Sequence, residues 1–286
     1  HSLCRIALGA ATRLGYGMEP DTAMLLASYC ASGRDAVNMV QLAAGAAYGE
    51  GRRQITDGDV RWVTQISNCQ RHIQPKLPET PKAGVSVGLA VGNGGVGVAI
   101  EIECLVEPAR SKGAGTLEVG GAVEYEELEL QGRRLGRKGT ARTSAENVLG
   151  AFQKNLGWDA NAYDVRFNIP GGLPMDGPSA GIALAVALMG AISGKAPIPK
   201  LALTGEITVQ GEVRPVGGVA EKLDAAIQGG AHTVLIPKAN WEEAYASLPC
   251  DVIPVEDIAQ TLRLAFDIPY ELTVTEGVIP LLYTTA

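Results

Sequence analysis

A chain of 286 residues has room for two domains, and an apolar fraction of 46% with only 5% aromatic residues predicts aliphatic, alanine-rich cores. A formal net charge of −7 argues against nucleic acid as the main partner, because phosphate binding needs a basic surface. Five cysteines without a Cys-x-x-Cys, together with only three histidines, suggest neither a metal site nor a disulfide framework and point to the reducing cytoplasm.

Residues 1–70 read as helices. Glu19-Pro-Asp-Thr-Ala23 looks like a helix start, with Pro20 near the first helical position. Residues 23–30 and 37–44 have helical composition and apolar faces, separated by Ser32-Gly33-Arg34, and residues 55–63 begin a further helix capped by Thr56 or Asp57. No Gly-x-x-x-x-Gly-Lys-Ser/Thr phosphate loop occurs. The chain is therefore expected to be a piece of a longer protein whose nucleotide-binding core, if present, lies upstream. Residues 71–82 are polar and proline-bearing and form the expected linker.

Short alternating strands are predicted at 85–89, 96–101 and 115–120, and the glycine-rich Gly92-Asn-Gly-Gly-Val-Gly97 reads as a hairpin turn between the first two. The basic run 132–138, balanced by Glu124, Glu126 and Glu127, reads as a solvated loop. A helix near 144–155 and a strand over 163–169 follow, and then glycines and prolines break the chain up to Pro178. After Ser179 comes a helix that is apolar on every face, with no charge until Lys195; it is rich in glycine and alanine and reads as a core helix, not a membrane span. Next come a strand at 201–204, a loop entering a helix that ends at Gly229-Gly230, a strand at 232–236 and a helix at 257–266. This mixture makes 83–268 an α/β (α+β) domain. Residues 269–286 show no pattern and are expected to be partly non-native.

Two side chains carry the chemistry. Ser179 stands at the mouth of the apolar helix, at the positive end of its dipole, where an oxyanion beside a nucleophile would be stabilised. The alternative is an ordinary helix cap. A serine nucleophile needs a base, and His1, His72 and His232 are poorly placed by sequence for a triad. Lys222 has Gly218, Val219, Ala225 and Ala226 as its helical neighbours, with no carboxylate on that face, so burial would lower its pKa. The alternative is a lysine that snorkels to water.

Asp176-Gly-Pro-Ser-Ala-Gly181, Leu203-Thr-Gly-Glu-Ile-Thr208, Arg214-Pro-Val-Gly-Gly218, Glu221-Lys222 and Val234-Leu-Ile-Pro237 occur in that order. Together they resemble the proteolytic domain of Lon proteases, more the B-type bacterial Lon proteases than the A type. The resemblance implies Ser179 as nucleophile and Lys222 as general base. It further implies that Thr204 hydrogen-bonds the lysine amine, and that Asp176, Gly177 and the backbone around Ser179 shape the oxyanion region. Arg166 and Asn168 stand where the best-known Lon enzymes have histidines, which is a departure from the pattern. The helical part, 1–70, resembles the small lid subdomain that ends an AAA+ ATPase module, with Arg34 similar to the sensor-2 arginine; a surface arginine capping a helix is the other reading. The implied function is a Ser-Lys endopeptidase of unfolded or damaged proteins within a homo-oligomeric, hexameric ring. No cofactor is expected for this piece, and ATP-Mg is expected for the full-length protein if a Walker motif lies upstream. An ATP-independent Lon-like peptidase and a small-molecule amidase are alternatives. A non-catalytic Lon-like assembly domain of a DNA-repair ATPase is a third, disfavoured by the joint presence of Ser179 and Lys222 and by the acidic charge.

Overall fold

Alanine-rich helices build the first part of the chain, and a mixed sheet organises the second. The computed structural model describes residues 2–30, 32–69, 76–92, 95–111, 113–121, 125–130, 133–138, 140–170 and 178–268. They fall into two compact units, His1–Ile73 with Asn93–Val96, and Gln74–Gly92 with Gly97–Ala286.

The first unit contains α1 (Ser2–Arg13), β1 (Gly17–Met18), α2 (Pro20–Ala27), α3 (Gly33–Gly49), β2 (Gln54–Ile55) and α4 (Asp57–Ile66). Pro20 sits in the first turn of α2, where its missing N–H is no loss. The Ser32 hydroxyl caps α3 by accepting the Asp35 N–H at 3.2 Å. At α4 the Thr56 N–H donates to the Asp59 carboxylate at 2.8 Å, and Arg52 holds the same carboxylate at 2.7 Å, which lowers the Asp59 pKa to about 2. The core is aliphatic and small-residued: Ala7, Ala23, Leu26, Ala36, Val40, Ala43, Val60 and Val63 are all fully buried. The parallel pairing of β1 with β2 is only two residues long, too short for any sequence period to announce.

The second unit is laid on a seven-stranded sheet of β3 (Val85–Val91), β4 (Gly97–Pro108), β5 (Leu117–Gly120), β8 (Tyr163–Asn168), β9 (Leu201–Leu203), β12 (Thr233–Pro237) and β13 (Asp251–Val255). Their order across the sheet is β13-β12-β9-β3-β4-β8-β5. The run β13, β12, β9, β3 is parallel, and β4 is antiparallel to both β3 and β8. Helices α5 (Thr140–Leu156), α6 (Gly181–Ser193), α7 (Val219–Gln228) and α8 (Ile258–Ala265) complete the layers.

Side-chain alternation shows which helix covers which face. Ala90, Ile102, Leu203 and Leu235 join the core around α6, whereas Leu89, Ala99, Ala202 and Val234 join a second core with Val219 and Leu223 of α7. Neighbouring residues of a strand point to opposite faces, so α6 and α7 lie on opposite sides of the sheet. Helices α5 and α8 pack on the outside of α6, which explains a helix with no polar face: every residue from Gly181 to Gly190 is buried.

Two short ladders were not foreseen. β10 (Glu206–Ile207) pairs with β11 (Val213–Arg214), and β6 (Tyr125–Leu130) pairs antiparallel with β7 (Arg133–Lys138). The second pairing corrects the expectation of a solvated loop at 132–138. The register sets Glu126 opposite Arg137 and Glu129 opposite Arg134, and opposite charges across a ladder favour pairing.

Gly97, the first residue of β4, lies under the first turn of α7, and a Cβ there would overlap the Glu221 carbonyl oxygen. The overlapped atom is main chain, so a side chain could be admitted only if the helix shifted. Gly97→Ala is expected to destabilise the unit by about 1–3 kcal/mol, the usual cost of overpacking. Urea denaturation followed by circular dichroism checks this, and an unchanged midpoint would show that α7 can ride outward freely.

Candidate active site

The serine side is built by strapping a turn to the end of a strand. A single 3-10 turn, Pro178–Ala180, runs directly into α6. The Ser179 carbonyl accepts the Gly205 N–H at 2.9 Å and the Thr204 hydroxyl at 3.5 Å, and Ile182 N–H returns a bond to the Gly205 carbonyl at 3.1 Å. Such close contact requires glycine at 181, where a Cβ would overlap the Ile207 nitrogen. The Ser179 side chain is thus held, half-buried, at the positive end of the α6 dipole.

The lysine side uses the opposite face of the sheet. Lys222 lies in the first turn of α7, its N–H bonded to the Gly218 carbonyl at 3.1 Å. Its neighbours Glu221 and Asp224 are exposed, but Lys222 itself is only 3% accessible, so it does not snorkel. Among the described residues no charged neighbour offsets the cost of burying its ammonium, and burial lowers the pKa from 10.5 to about 8.

Both side chains open into one cleft of about 410 Å³, lined by Val91, Pro178, Ser179, Pro215, Val216, Gly217, Gly218 and Lys222. It lies at the carboxyl ends of the parallel strands β3 and β9, the usual place for a site in an open α/β sheet. No histidine lines it: His232 is exposed at the start of β12, and His1 and His72 lie outside the described residues.

The remaining predicted residues have different placements. Thr204 is fully buried, and its hydroxyl bonds the Ser179 carbonyl, with no bond to the Lys222 amine. Asp176 and Gly177 lie outside the described residues. Arg34 is exposed in the first turn of α3, within the helical unit. Arg166 and Asn168 are on the exposed side of β8, where Arg166 pairs with Glu118 at 2.7 Å and Asn168 donates to Glu103 at 2.7 Å; neither lines the cleft. Val91 was not anticipated as a lining residue, since the last position of an alternating strand carries no mark of what it faces. Among the described residues, no group of three or more His, Cys, Asp or Glu is placed to hold a metal ion, and no helix is long and apolar enough to cross a membrane.

The family model for the Lon protease (S16) C-terminal proteolytic domain matches residues 59–266. Similar relatives include Lon protease 2 of Bacillus subtilis, 38% identical over 90% of this chain and 46% of that protein. The Lon protease of Vibrio parahaemolyticus is 34% identical over 74% of this chain and 27% of its own length. The archaeal Lon protease of Pyrococcus abyssi is 30% identical over 81% of this chain and 24% of its own length. The chain thus spans less than half the length of these relatives.

The buried ammonium has a cost that depends on pH. Below about pH 8 the folded and unfolded chains both carry the proton, and the folded chain bears the full burial cost. Between about pH 8 and 10.5 the folded chain has released its proton while the unfolded chain still holds it, so stability rises with pH across that window. Lys222→Met, uncharged and of similar reach, is therefore expected to exceed the wild type in stability at pH 7 by up to about 3 kcal/mol. The gap should close by about pH 10.5. Urea titrations at both pH values test this; equal stability at both would mean that water reaches the ammonium in solution.

Proposed function

The chain belongs to the Lon protease family through its C-terminal proteolytic domain, and on that premise we propose that it is a serine endopeptidase working by a Ser179–Lys222 dyad. The observation that carries this reading is the shared cleft, in which a serine hydroxyl at a helix mouth stands with a buried lysine that has no counter-ion among the described residues. At the ordinary lysine pKa of about 10.4, only about one amine in 2,500 is neutral at pH 7, and at about 8 roughly a tenth is. Burial thus raises the population of competent base about 200-fold.

In this mechanism the neutral Lys222 amine takes the Ser179 proton as the oxygen attacks the peptide carbonyl carbon. Negative charge develops on the carbonyl oxygen beside the N-terminal end of α6, whose dipole stabilises it; Asp176 and Gly177 are proposed to shape the same region. The Lys222 ammonium then gives its proton to the leaving amine as the C–N bond breaks, leaving an acyl-serine. Water, deprotonated by Lys222, attacks the ester, and Ser179 recovers its proton. Thr204 contributes by holding the Ser179 carbonyl and so the serine turn.

The wider reading is what the resemblance implies, and it is part of the same proposal. Unfolded or damaged proteins are the substrates, within a homo-oligomeric, hexameric ring. Residues 1–70 act as an AAA+ lid in which Arg34 contacts nucleotide, 71–82 as linker and 83–268 as the proteolytic domain, with ATP-Mg bound by a segment upstream. All five cysteines are unpaired, which supports a reducing, cytoplasmic setting.

Ser179→Ala is expected to lower hydrolysis of a short unstructured fluorogenic peptide, assayed without ATP, by about four orders of magnitude or more. Lys222→Arg should be equally inactive, because arginine keeps the charge but does not deprotonate near neutrality. Wild-type activity should rise along one limb between about pH 7 and 9. An arginine variant close to wild type across that range would remove the dyad.

A further inference from the structure

β12 ends at Pro237, and one 3-10 turn, Lys238–Asn240, follows it. The turn stands at the carboxyl end of β12 as Thr204 stands beyond β9 and Val91 closes β3, so it belongs to the same edge of the sheet as the cleft. From there the Asn240 side chain reaches the loop that leads into the lysine helix. Its Oδ1 accepts the Val216 N–H at 2.8 Å, and its Nδ2 donates to the Val216 carbonyl at 3.0 Å. A side-chain amide carries one donor edge and one acceptor edge, and here it takes the place of a neighbouring strand.

Residue 216 is secured a second way, because the Val216 side chain packs against the apolar cluster that contains Val219 and Leu223. Pro215 and Gly217, on either side, are exposed and line the cleft. Gly218 comes next; its carbonyl takes the Lys222 N–H and starts the first turn of α7. The Asn240 amide therefore bonds the one residue whose position sets both the cleft wall and the start of the helix that carries the base.

We propose that Asn240 is a positioning residue of the peptidase site: by bracketing the Val216 peptide groups it fixes the wall formed by residues 215–218 and, through it, the place from which Lys222 meets Ser179. The inference rests on the reading of this cleft as the peptidase site. It requires no contact between Asn240 and substrate.

The test uses the whole chain, with kcat and KM measured on a short unstructured peptide from pH 6 to 10, alongside hydrogen exchange at the Val216 amide and thermal denaturation. Asn240→Ala is expected to speed exchange at Val216 while the β12 amides and the melting point stay near wild type. Its kcat should fall at least about tenfold, since displacements near 1 Å at a reacting group cost that much or more. The midpoint of its alkaline limb should rise from about 8 toward the value of a solvated lysine. Asn240→Asp keeps the acceptor for the Val216 N–H but loses the donor to the carbonyl, and it should fall between the two. Should Asn240→Ala fail to fold, the aspartate variant decides by the same readings. Val216 exchange released with kcat and midpoint unmoved overturns the inference alone. A wild-type chain that cleaves nothing and is matched by Ser179→Ala overturns the peptidase reading, and this inference with it.

Discussion

An ammonium taken out of water without a partner is among the most expensive groups a fold can hold, and the second unit buries Lys222 with no ionic partner among the described residues. Lys222 is kept almost wholly out of solvent because α7 presses its first turn onto the sheet. Val219 and Leu223 lie in the apolar core there, and Gly97 lets the helix backbone approach without a gap. A carboxylate beside Lys222 would relieve the cost, and none is placed there among the described residues: Glu221 and Asp224 are exposed. Stability is given up at this position, and the amine loses its proton nearer neutral pH than a solvated lysine does. The remaining apolar burial in the unit, above all α6 between the sheet, α5 and α8, covers the deficit.

The sheet keeps the two reacting groups apart until its edge. α6 and α7 approach on opposite faces, and their first turns converge only where β3 and β9 end. The serine turn is tied to β9 by three hydrogen bonds to or from residues 204 and 205, and the lysine loop is tied to β12 by Asn240. Adjacent parallel strands thus serve as separate mounts for the proposed nucleophile and base, and the sheet between them sets their spacing. Elements so mounted hold catalytic geometry better than free loops do.

Much of this was legible in the residues. A helix apolar on every side has to be enclosed, so α6 and the serine at its mouth stood out, and small residues around Lys222 suggested its burial. The ordered motifs tied the two together, although no local pattern would have shown that they share a cleft. Other elements were hidden for physical reasons. β13 carries Pro254, which weakens a strand reading, and the sheet tolerates it because β13 is an edge strand. The β6–β7 hairpin was obscured by its charge, and β1, β2, β10 and β11 are too short to show a period. The resemblance directed the Thr204 hydroxyl to the lysine amine, whereas it bonds the serine carbonyl. Asn240 gave no signal, since its partner, Val216, is 24 residues earlier and belongs to a different element.

The bracket at Val216 also bears on how an extended peptide is gripped. A strand laid along a wall is normally read through the main-chain donors and acceptors of that wall. Pro215 has no N–H to offer, and both main-chain groups of Val216 are bonded to Asn240. A polypeptide lying against residues 215 and 216 therefore finds no amide donor there, and its carbonyl groups have to find their donors elsewhere. This stretch of wall meets a bound chain through the shape of Pro215 and the open backbone of Gly217. A surface of that kind excludes bulk but reads no sequence, which suits the proposed cleavage of unfolded chains.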